Sequence, residues 1–156
     1  MRLAGTVLLT VLAGCSSAGD PAARRESQPD SADLRVQLAT DWPQPGFAEV
    51  PLGHLQKVYV SPAVELNNMD VVTARALHSE KRSMIQIVLN RLAADRLFQL
   101  TRDHVGSRMA VFIDDELISA PPIYGPDASG ELRIVGQFSR KRAERLAANL
   151  SNRSLP

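Results

Sequence analysis

The segment TRDHVGSRMAVFID, residues 101–114, spans the point at which the chain changes from a helical pattern to a strand. Upstream of it, four apolar residues recur at helical spacing: Ala93, Leu97, Leu100 and Val105. Gly106 then offers the left-handed backbone that ends many helices. The run RMAVFI predicts a strand over residues 108–113, and Asp114 with Asp115 predicts a tight turn into a second strand, ELISA. The segment therefore predicts a helix followed by a β-hairpin.

Strands are also predicted on the amino-terminal side of this segment. Apolar residues alternate with others over residues 34–38, which is typical of a half-buried strand. A second β-rich stretch covers residues 55–60, and we expect Ser61 and Pro62 to close it, because proline cannot donate a hydrogen bond inside a ladder. The asparagine pair that comes next can cap a short turn or helix, which we expect over residues 69–74.

The carboxy-terminal half alternates strand and helix. Residues 84–89 predict a strand after which Asn90 can cap the central helix, and residues 132–135 predict a strand after which Ser139 can cap a final helix. The final helix has one apolar face, formed by Ala143, Leu146, Ala147 and Leu150. This order predicts an α+β fold, an antiparallel sheet with two main helices packed on one face. The length predicts one domain with one core.

Five segments carry a resemblance to a known family, in this order along the chain: VYVSP (58–62), LNNMDV (66–71), residues 101–114, ISAP (118–121) and IVGQFS (134–139). Together they resemble the head subdomain of the first periplasmic domain of SecD and SecDF, and the resemblance covers residues 34–150. Asp103 and Asp115 stand where that family usually has Asn and Gly. The resemblance implies an extracytoplasmic α+β domain that is linked to protein export.

The amino terminus has the pattern of a bacterial lipoprotein signal. Arg2 gives a short positive region, residues 3–12 are apolar, and Ala13-Gly14 are the small residues that a signal peptidase requires. Cys15, the only cysteine of the chain, follows at the acceptor position of this lipobox. The apolar run is too short to span a bilayer, which takes about 20 residues. We therefore expect Cys15 to carry the lipid.

We divide the chain into a signal peptide over residues 1–14, a tether over residues 15–33 and a SecD/SecDF-like head domain over residues 34–156. The tether is rich in Ser, Ala, Pro and charge, so it cannot bury enough apolar surface to order itself. Acyl chains on Cys15, palmitate among them, hold such a protein on the extracytoplasmic side of an envelope membrane. Ser16 after the cysteine favours the outer membrane facing the periplasm in a diderm host.

Charge and composition exclude several classes of function. The chain has 18 basic and 17 acidic residues, and removal of Arg2 with the signal leaves a net charge of zero. We expect no nucleic-acid partner, because there is no basic stripe with interleaved aromatic residues. We also expect no metal and no other cofactor, since the three histidines, His54, His78 and His104, are too scattered in sequence to form a ligand motif.

Two classes of function remain open. The favoured one is a non-enzymatic binding module for an unfolded polypeptide or an envelope protein. Its expected contacts are Tyr124, in the loop after the proline pair, and the basic cluster Arg140, Lys141 and Arg142 at the start of the last helix. The alternative reading for Tyr124 is that its ring packs back on the sheet and closes the domain.

The second class is a small envelope hydrolase. Its site would have to assemble from dispersed residues such as His104, Ser119 and Asp114. Ser119 does not lie in a nucleophile elbow with flanking glycines, so the sequence indicates no catalytic residue. Convergence of the three side chains in one pocket is the observation that separates the two classes.

We predict that Cys15→Ser leaves an unprocessed and unlipidated precursor, because the hydroxyl of serine does not replace the thiol in lipid transfer. Metabolic labelling with a fatty-acid analogue, followed by membrane fractionation, measures this. Label that is retained on the Ser variant would show that the lipid is attached elsewhere.

Overall fold

The computed structural model describes residues 32–54, 56–80 and 82–152. The signal peptide, Cys15 and residues 15–31 of the tether lie outside the described residues. The elements are, in chain order, β1 (Leu34–Thr40), β2 (Ala48–Leu52), β3 (Gln56–Asn67), a 3₁₀ turn (Asn68–Asp70), β4 (Val71–His78), β5 (Ser83–Leu89), α1 (Arg91–Asp103), β6 (Arg108–Ile113), β7 (Glu116–Ser119), β8 (Glu131–Val135) and α2 (Arg140–Asn152). No helix in these ranges is long and apolar enough to cross a membrane.

The α+β fold class is confirmed, and the strands are divided between two antiparallel sheets. The five-stranded sheet has the order β2-β3-β1-β6-β7, and the three-stranded sheet has the order β4-β5-β8. Both helices contribute buried residues to the core beside these sheets. Consecutive strands therefore change sheet three times, at the 3₁₀ turn, through α1 between β5 and β6, and between β7 and β8.

The expectation that Ser61 and Pro62 end a strand is wrong, because β3 continues through them to Asn67. In the pairing of β1 with β3, Gln37 lies opposite Val64 and Ala39 lies opposite Val60, so three residues of β3 face a single residue of β1. Proline is tolerated at such a bulge because no ladder hydrogen bond is required of its nitrogen. On the other side, β2 pairs with β3 only as far as Val60.

The expectation of a turn or helix over residues 69–74 is correct only for residues 69 and 70. Asn67 caps the 3₁₀ turn by accepting a hydrogen bond from Met69 N at 2.9 Å, and Asp70 accepts one from Asn67 N at 2.9 Å. From Val71 onward the chain is extended, since it pairs with β5. The β-branched residues Val71, Val72 and Thr73 suit a strand better than a helix.

The predicted helix caps and the hairpin turn are confirmed. Asn90 accepts a hydrogen bond from Ala93 N at 2.9 Å, and Ser139 accepts one from Arg142 N at 3.2 Å. Asp114 and Asp115 have φ values of 52° and 66°, which are the positive values that a two-residue hairpin turn requires.

One residue of the predicted apolar helix face is misplaced. Val105 lies beyond the end of α1 and is 56% exposed. The helix ends at Asp103, and Gly106, with φ of 88°, turns the chain towards β6. Its apolar face therefore ends at Leu100.

The main core lies between the two sheets and the two helices. Leu97 of α1 and Ile113 of β6 belong to it, together with Ile85, Ile134 and Leu150. A second, smaller cluster lies on the other face of the five-stranded sheet and consists of Ala39, Val58, Val60, Ala110, Phe112 and Ala120. The sequence predicts one core. The second cluster arises because the sheet curls until its edge strands β2 and β7 approach each other.

We predict that Leu97→Ala lowers the free energy of unfolding by about 2–5 kcal/mol, because a fully buried leucine is replaced by a cavity. The matched control is Leu92→Ala on the same helix, where the side chain is 73% exposed and the change should stay within about 0.5 kcal/mol. Urea denaturation measures both variants. A similar loss for both would mean that α1 presents a different face to the core.

Candidate functional site

A groove of about 950 Å³ lies where β7 and β8, edge strands of different sheets, approach each other. We call it the edge groove. Its lining residues are Leu52, Arg82, Ser83, Arg108, Ile118, Ser119, Ala120, Pro121, Pro122, Arg133, Val135, Gly136, Gln137, Phe138 and Ser139. Within the described chain, β7 pairs only with β6 and β8 only with β5. Each strand therefore keeps one edge that can accept a further strand.

Two of the segments that carry the family resemblance lie in the edge groove. Residues 118–121 form one wall, and the lining part of residues 134–139 runs from Val135 to Ser139. The two segments are separated in sequence by the loop of residues 122–133. Their sequence spacing gives no sign that they lie side by side, and the fold brings them together.

Close packing in this groove requires glycine at position 136. A Cβ atom added there would lie 2.8 Å from the Phe138 ring and 2.9 Å from Cγ2 of Ile118. Both distances are shorter than real contacts of a Cβ atom, so any larger residue must displace the lining. The glycine therefore allows β7 and the chain after β8 to approach closely.

Ser119 has an unusual environment for a polar side chain. Its Oγ is buried and has no hydrogen-bond partner among the described residues. Ser119 lines the edge groove beside Ala120 and Pro121. A buried hydroxyl without a partner is unfavourable for stability.

A chain of three polar side chains lies at one end of the edge groove. Ser83 Oγ is 3.0 Å from His78 Nδ1, and His78 Nε2 is 3.2 Å from Glu144 Oε1. This order of groups resembles a hydrolase triad in outline. However, Ser83 is only 8% exposed and is the direct partner of His78 across the β4–β5 ladder. The contacts therefore tie the hairpin to α2, and they do not present a nucleophile.

No sequence pattern indicates this set of three polar side chains, because Glu144 is distant in sequence and His78 and Ser83 lie across the β4–β5 hairpin, which no local pattern predicts. The signal that could have indicated part of it is the short connection between β4 and β5, which makes His78 and Ser83 cross-strand partners.

The three residues expected for a hydrolase do not converge. His104 Nδ1 lies 3.0 Å from the Leu100 carbonyl oxygen at the end of α1. Asp114 accepts a hydrogen bond from Asp33 N at 2.8 Å at the tip of the hairpin, and Ser119 lies in the edge groove. No hydrogen bond links these three side chains within the described part of the chain. The proposed combination is therefore wrong.

The residues expected to contact a partner differ in exposure and in ion pairing. Tyr124 is 88% exposed, which excludes the alternative that its ring packs on the sheet. Arg142 is bonded to Glu116 at 2.6 Å and lies over the Phe138 ring, so it ties α2 to β7. Arg140 pairs with Glu144 on the same helix at 3.2 Å, whereas Lys141 is exposed.

A second concave surface lies along α1, and we call it the α1 surface. It is lined by Glu65, Leu92, Asp95, Arg96, Gln99, Leu100, Asp103 and His104. The hydrogen bond from Arg102 holds the pKa of the Asp103 carboxyl below its usual value. In the lining of this surface three carboxylates, Glu65, Asp95 and Asp103, outnumber the one arginine, Arg96.

No three His, Asp or Glu side chains come close enough together to hold a metal ion within residues 32–54, 56–80 and 82–152.

Solved structures of SecDF contain a domain with this fold. A crystal structure of SecDF in the super-membrane-facing form aligns with a TM-score of 0.61 at 19% identity, over 77% of this chain and 18% of that chain. A structure of the membrane component SecDF that enhances protein export aligns with a TM-score of 0.62 at 19% identity, over 78% of this chain and 62% of that chain. The fold is therefore that of a SecDF domain.

The sequence identifies the family. The model of the SecDF P1 head subdomain matches residues 48–156, and the chain belongs to this family. SecD of Rickettsia conorii is 30% identical over 100 residues, which cover 64% of this chain and 19% of that protein. SecDF of Brucella abortus is 30% identical over 112 residues, which cover 70% of this chain and 14% of that protein. The chain thus spans less than a fifth of either relative, and the resemblance found in its sequence is confirmed.

We predict that Gly136→Ala lowers the free energy of unfolding by about 1–3 kcal/mol, because the added methyl group overlaps Phe138 and Ile118. The control is Gly125→Ala, where nothing lies within 4 Å of the added atom. Thermal or urea denaturation of both variants measures the difference. Equal stability of the two variants would mean that the edge groove is wider than described.

Proposed function

We propose that this protein is a lipoprotein of the bacterial cell envelope whose head domain binds extended segments of other polypeptides in the edge groove. In this proposal the protein has no catalytic activity, and its binding is linked to protein export. The lipid on Cys15 attaches it to the extracytoplasmic side of the membrane, and the tether holds the domain away from the bilayer.

The observation that carries this proposal is the pair of unpaired strand edges at one groove. An extended peptide can add to such an edge, because its backbone N–H and C=O groups complete the ladder and need no particular sequence. β8 has five residues, which corresponds to about 17 Å of strand at 3.3–3.4 Å per residue. A short extended segment therefore matches the length of the edge.

The lining of the edge groove supports binding of side chains as well as backbone. Ala120, Val135 and Phe138 offer apolar contact. These features favour an unfolded or extended partner over a compact small molecule.

Membership of the P1 head family supports the link to export and the extracytoplasmic location. The SecDF of one related structure is a membrane component that enhances protein export. The lipobox at residues 12–15 supports attachment by lipid, and Ser16 supports the outer membrane of a diderm host. Tyr124 and Lys141, both exposed, are proposed as additional contacts for an envelope partner.

The test is photo-crosslinking to a neutral, end-blocked peptide of about ten residues in which Val and Thr alternate. We predict that a benzophenone amino acid in place of Gln137 captures this peptide, because Gln137 is exposed and lines the edge groove. The matched control is the same amino acid in place of Gln99, which is exposed on the α1 surface and should give little product.

Competition by an unlabelled unfolded polypeptide should reduce the product at position 137. Equal capture at the two positions, or none at either, would contradict a binding site in the edge groove. In the same assay Tyr124→Ser, with an unchanged thermal midpoint, reports whether this loop adds to capture.

A further inference from the structure

The charged side chains that line the edge groove have a single sign. Three arginines line it, Arg82, Arg108 and Arg133, and no Asp or Glu of the described residues does. The lining of the α1 surface differs, with three carboxylates, Glu65, Asp95 and Asp103, and one arginine, Arg96. The net charge of the whole chain is only +1, so these charges are segregated on the surface.

The three arginines are not equally available to a ligand. Arg108 Nε lies 2.6 Å from Asp41, and its Nη1 donates to the Ala120 carbonyl at 2.9 Å, so this guanidinium is already neutralised and held. The side chain of Arg133 is 67% exposed and lies 3.5 Å from Glu131. Glu131 also accepts a hydrogen bond from Gln86, which divides its charge between two donors.

Arg82 is the third arginine of the lining, and it directly precedes β5. It is exposed next to Ser83, and no carboxylate of the described residues is within ion-pair distance of it. Met84, two residues further on, is the direct partner of Val135 at the end of β8. Arg82, directly before β5, and Arg133, in the neighbouring strand β8, therefore both line the groove, and neither guanidinium has a close ion pair like that of Arg108.

We propose that the edge groove selects extended polypeptide segments that carry carboxylate side chains, and that Arg82 and Arg133 are the residues that determine this preference. The proposal rests on the proposed function, because it names the class of segment that the same groove takes. The backbone of any sequence can pair with a strand edge, whereas a guanidinium forms its paired, charge-assisted hydrogen bonds only with an anion such as Asp or Glu.

The surroundings of the two arginines favour a polypeptide over an anionic membrane. They lie beside unpaired strand edges and the apolar residues Ala120 and Val135, which suit the backbone and side chains of an extended segment. A lipid surface would require unpaired basic residues, and in the basic cluster at the start of α2, Arg140 and Arg142 are paired with Glu144 and Glu116.

The test compares three end-blocked peptides of the same length: the neutral peptide, one with two Glu, and one with two Lys. On the full domain at low salt, the Glu peptide should bind about five- to tenfold more tightly than the neutral peptide, and the Lys peptide more weakly, by fluorescence anisotropy. The preference of the Glu peptide should decrease as salt is added, because exposed charges are screened.

The double variant Arg82→Gln, Arg133→Gln should lose most of this preference and keep the affinity for the neutral peptide. The matched control is Arg145→Gln, an exposed arginine of α2 outside the groove, which should change neither. Equal affinities of the Glu and neutral peptides for the unchanged protein would overturn the inference and leave the proposed function intact. Failure of all three peptides to bind would overturn the proposed function itself.

Two further outcomes also decide against the inference. An equal loss of preference in the Arg145→Gln control would mean that the preference for the Glu peptide depends on net charge alone. Stronger binding to phosphatidylglycerol vesicles than to the Glu peptide, lost in the same double variant, would assign the arginines to a membrane.

Discussion

The short turn at residues 67–70 determines how the rest of the molecule is arranged. The buried amide of Asn68 donates to the Ala32 carbonyl at 2.7 Å and accepts from Leu34 N at 2.6 Å, so it fixes the chain that enters β1. The carbonyl of Asp70 accepts a hydrogen bond from Asn90 N at 2.8 Å at the start of α1. The beginning of β1, the end of β3, the beginning of β4 and the beginning of α1 therefore meet at one buried polar junction. Because its groups have lost contact with water, each of these bonds must be kept for the fold to be stable.

The divergence of the two sheets at this junction also explains where the edge groove lies. After β5 and α1 the chain returns to the five-stranded sheet as the β6–β7 hairpin, and it then returns to the three-stranded sheet as β8. Two consecutive strands thus become edge strands of different sheets. Their free edges lie near each other because both sheets pack on one core. The groove is a consequence of this connectivity.

Much of the local structure could be predicted because short-range signals determine it. Asn90, Ser139 and the pair Asp114-Asp115 act through hydrogen bonds or backbone angles within a few residues, and the structure agrees at each of them. The strand end expected at Pro62 is wrong, because proline ends a strand only where the partner strand requires a backbone N–H donor at that position. Residues 71–74 are extended and not helical, because pairing with β5, some fifteen residues away, decides their conformation. Such errors come from contacts that no local pattern encodes.

The sequence by itself determined the lipoprotein signal pattern, the α+β class, the helix caps and the membership of the SecDF P1 head family, because each of these depends on residue types in a fixed local order. Only the tertiary structure decided that segments 118–121 and 134–139 lie together, that the Ser119 hydroxyl is buried without a partner among the described residues, and that Asp41 binds Arg108 at 2.6 Å while Arg133 has only a longer contact with Glu131. It also separated His104, Ser119 and Asp114, which the sequence alone allowed to form one site. The physical reason is that proximity, burial and ion pairing depend on how the two sheets curl and pack, and residues far apart in sequence meet only when that packing is complete.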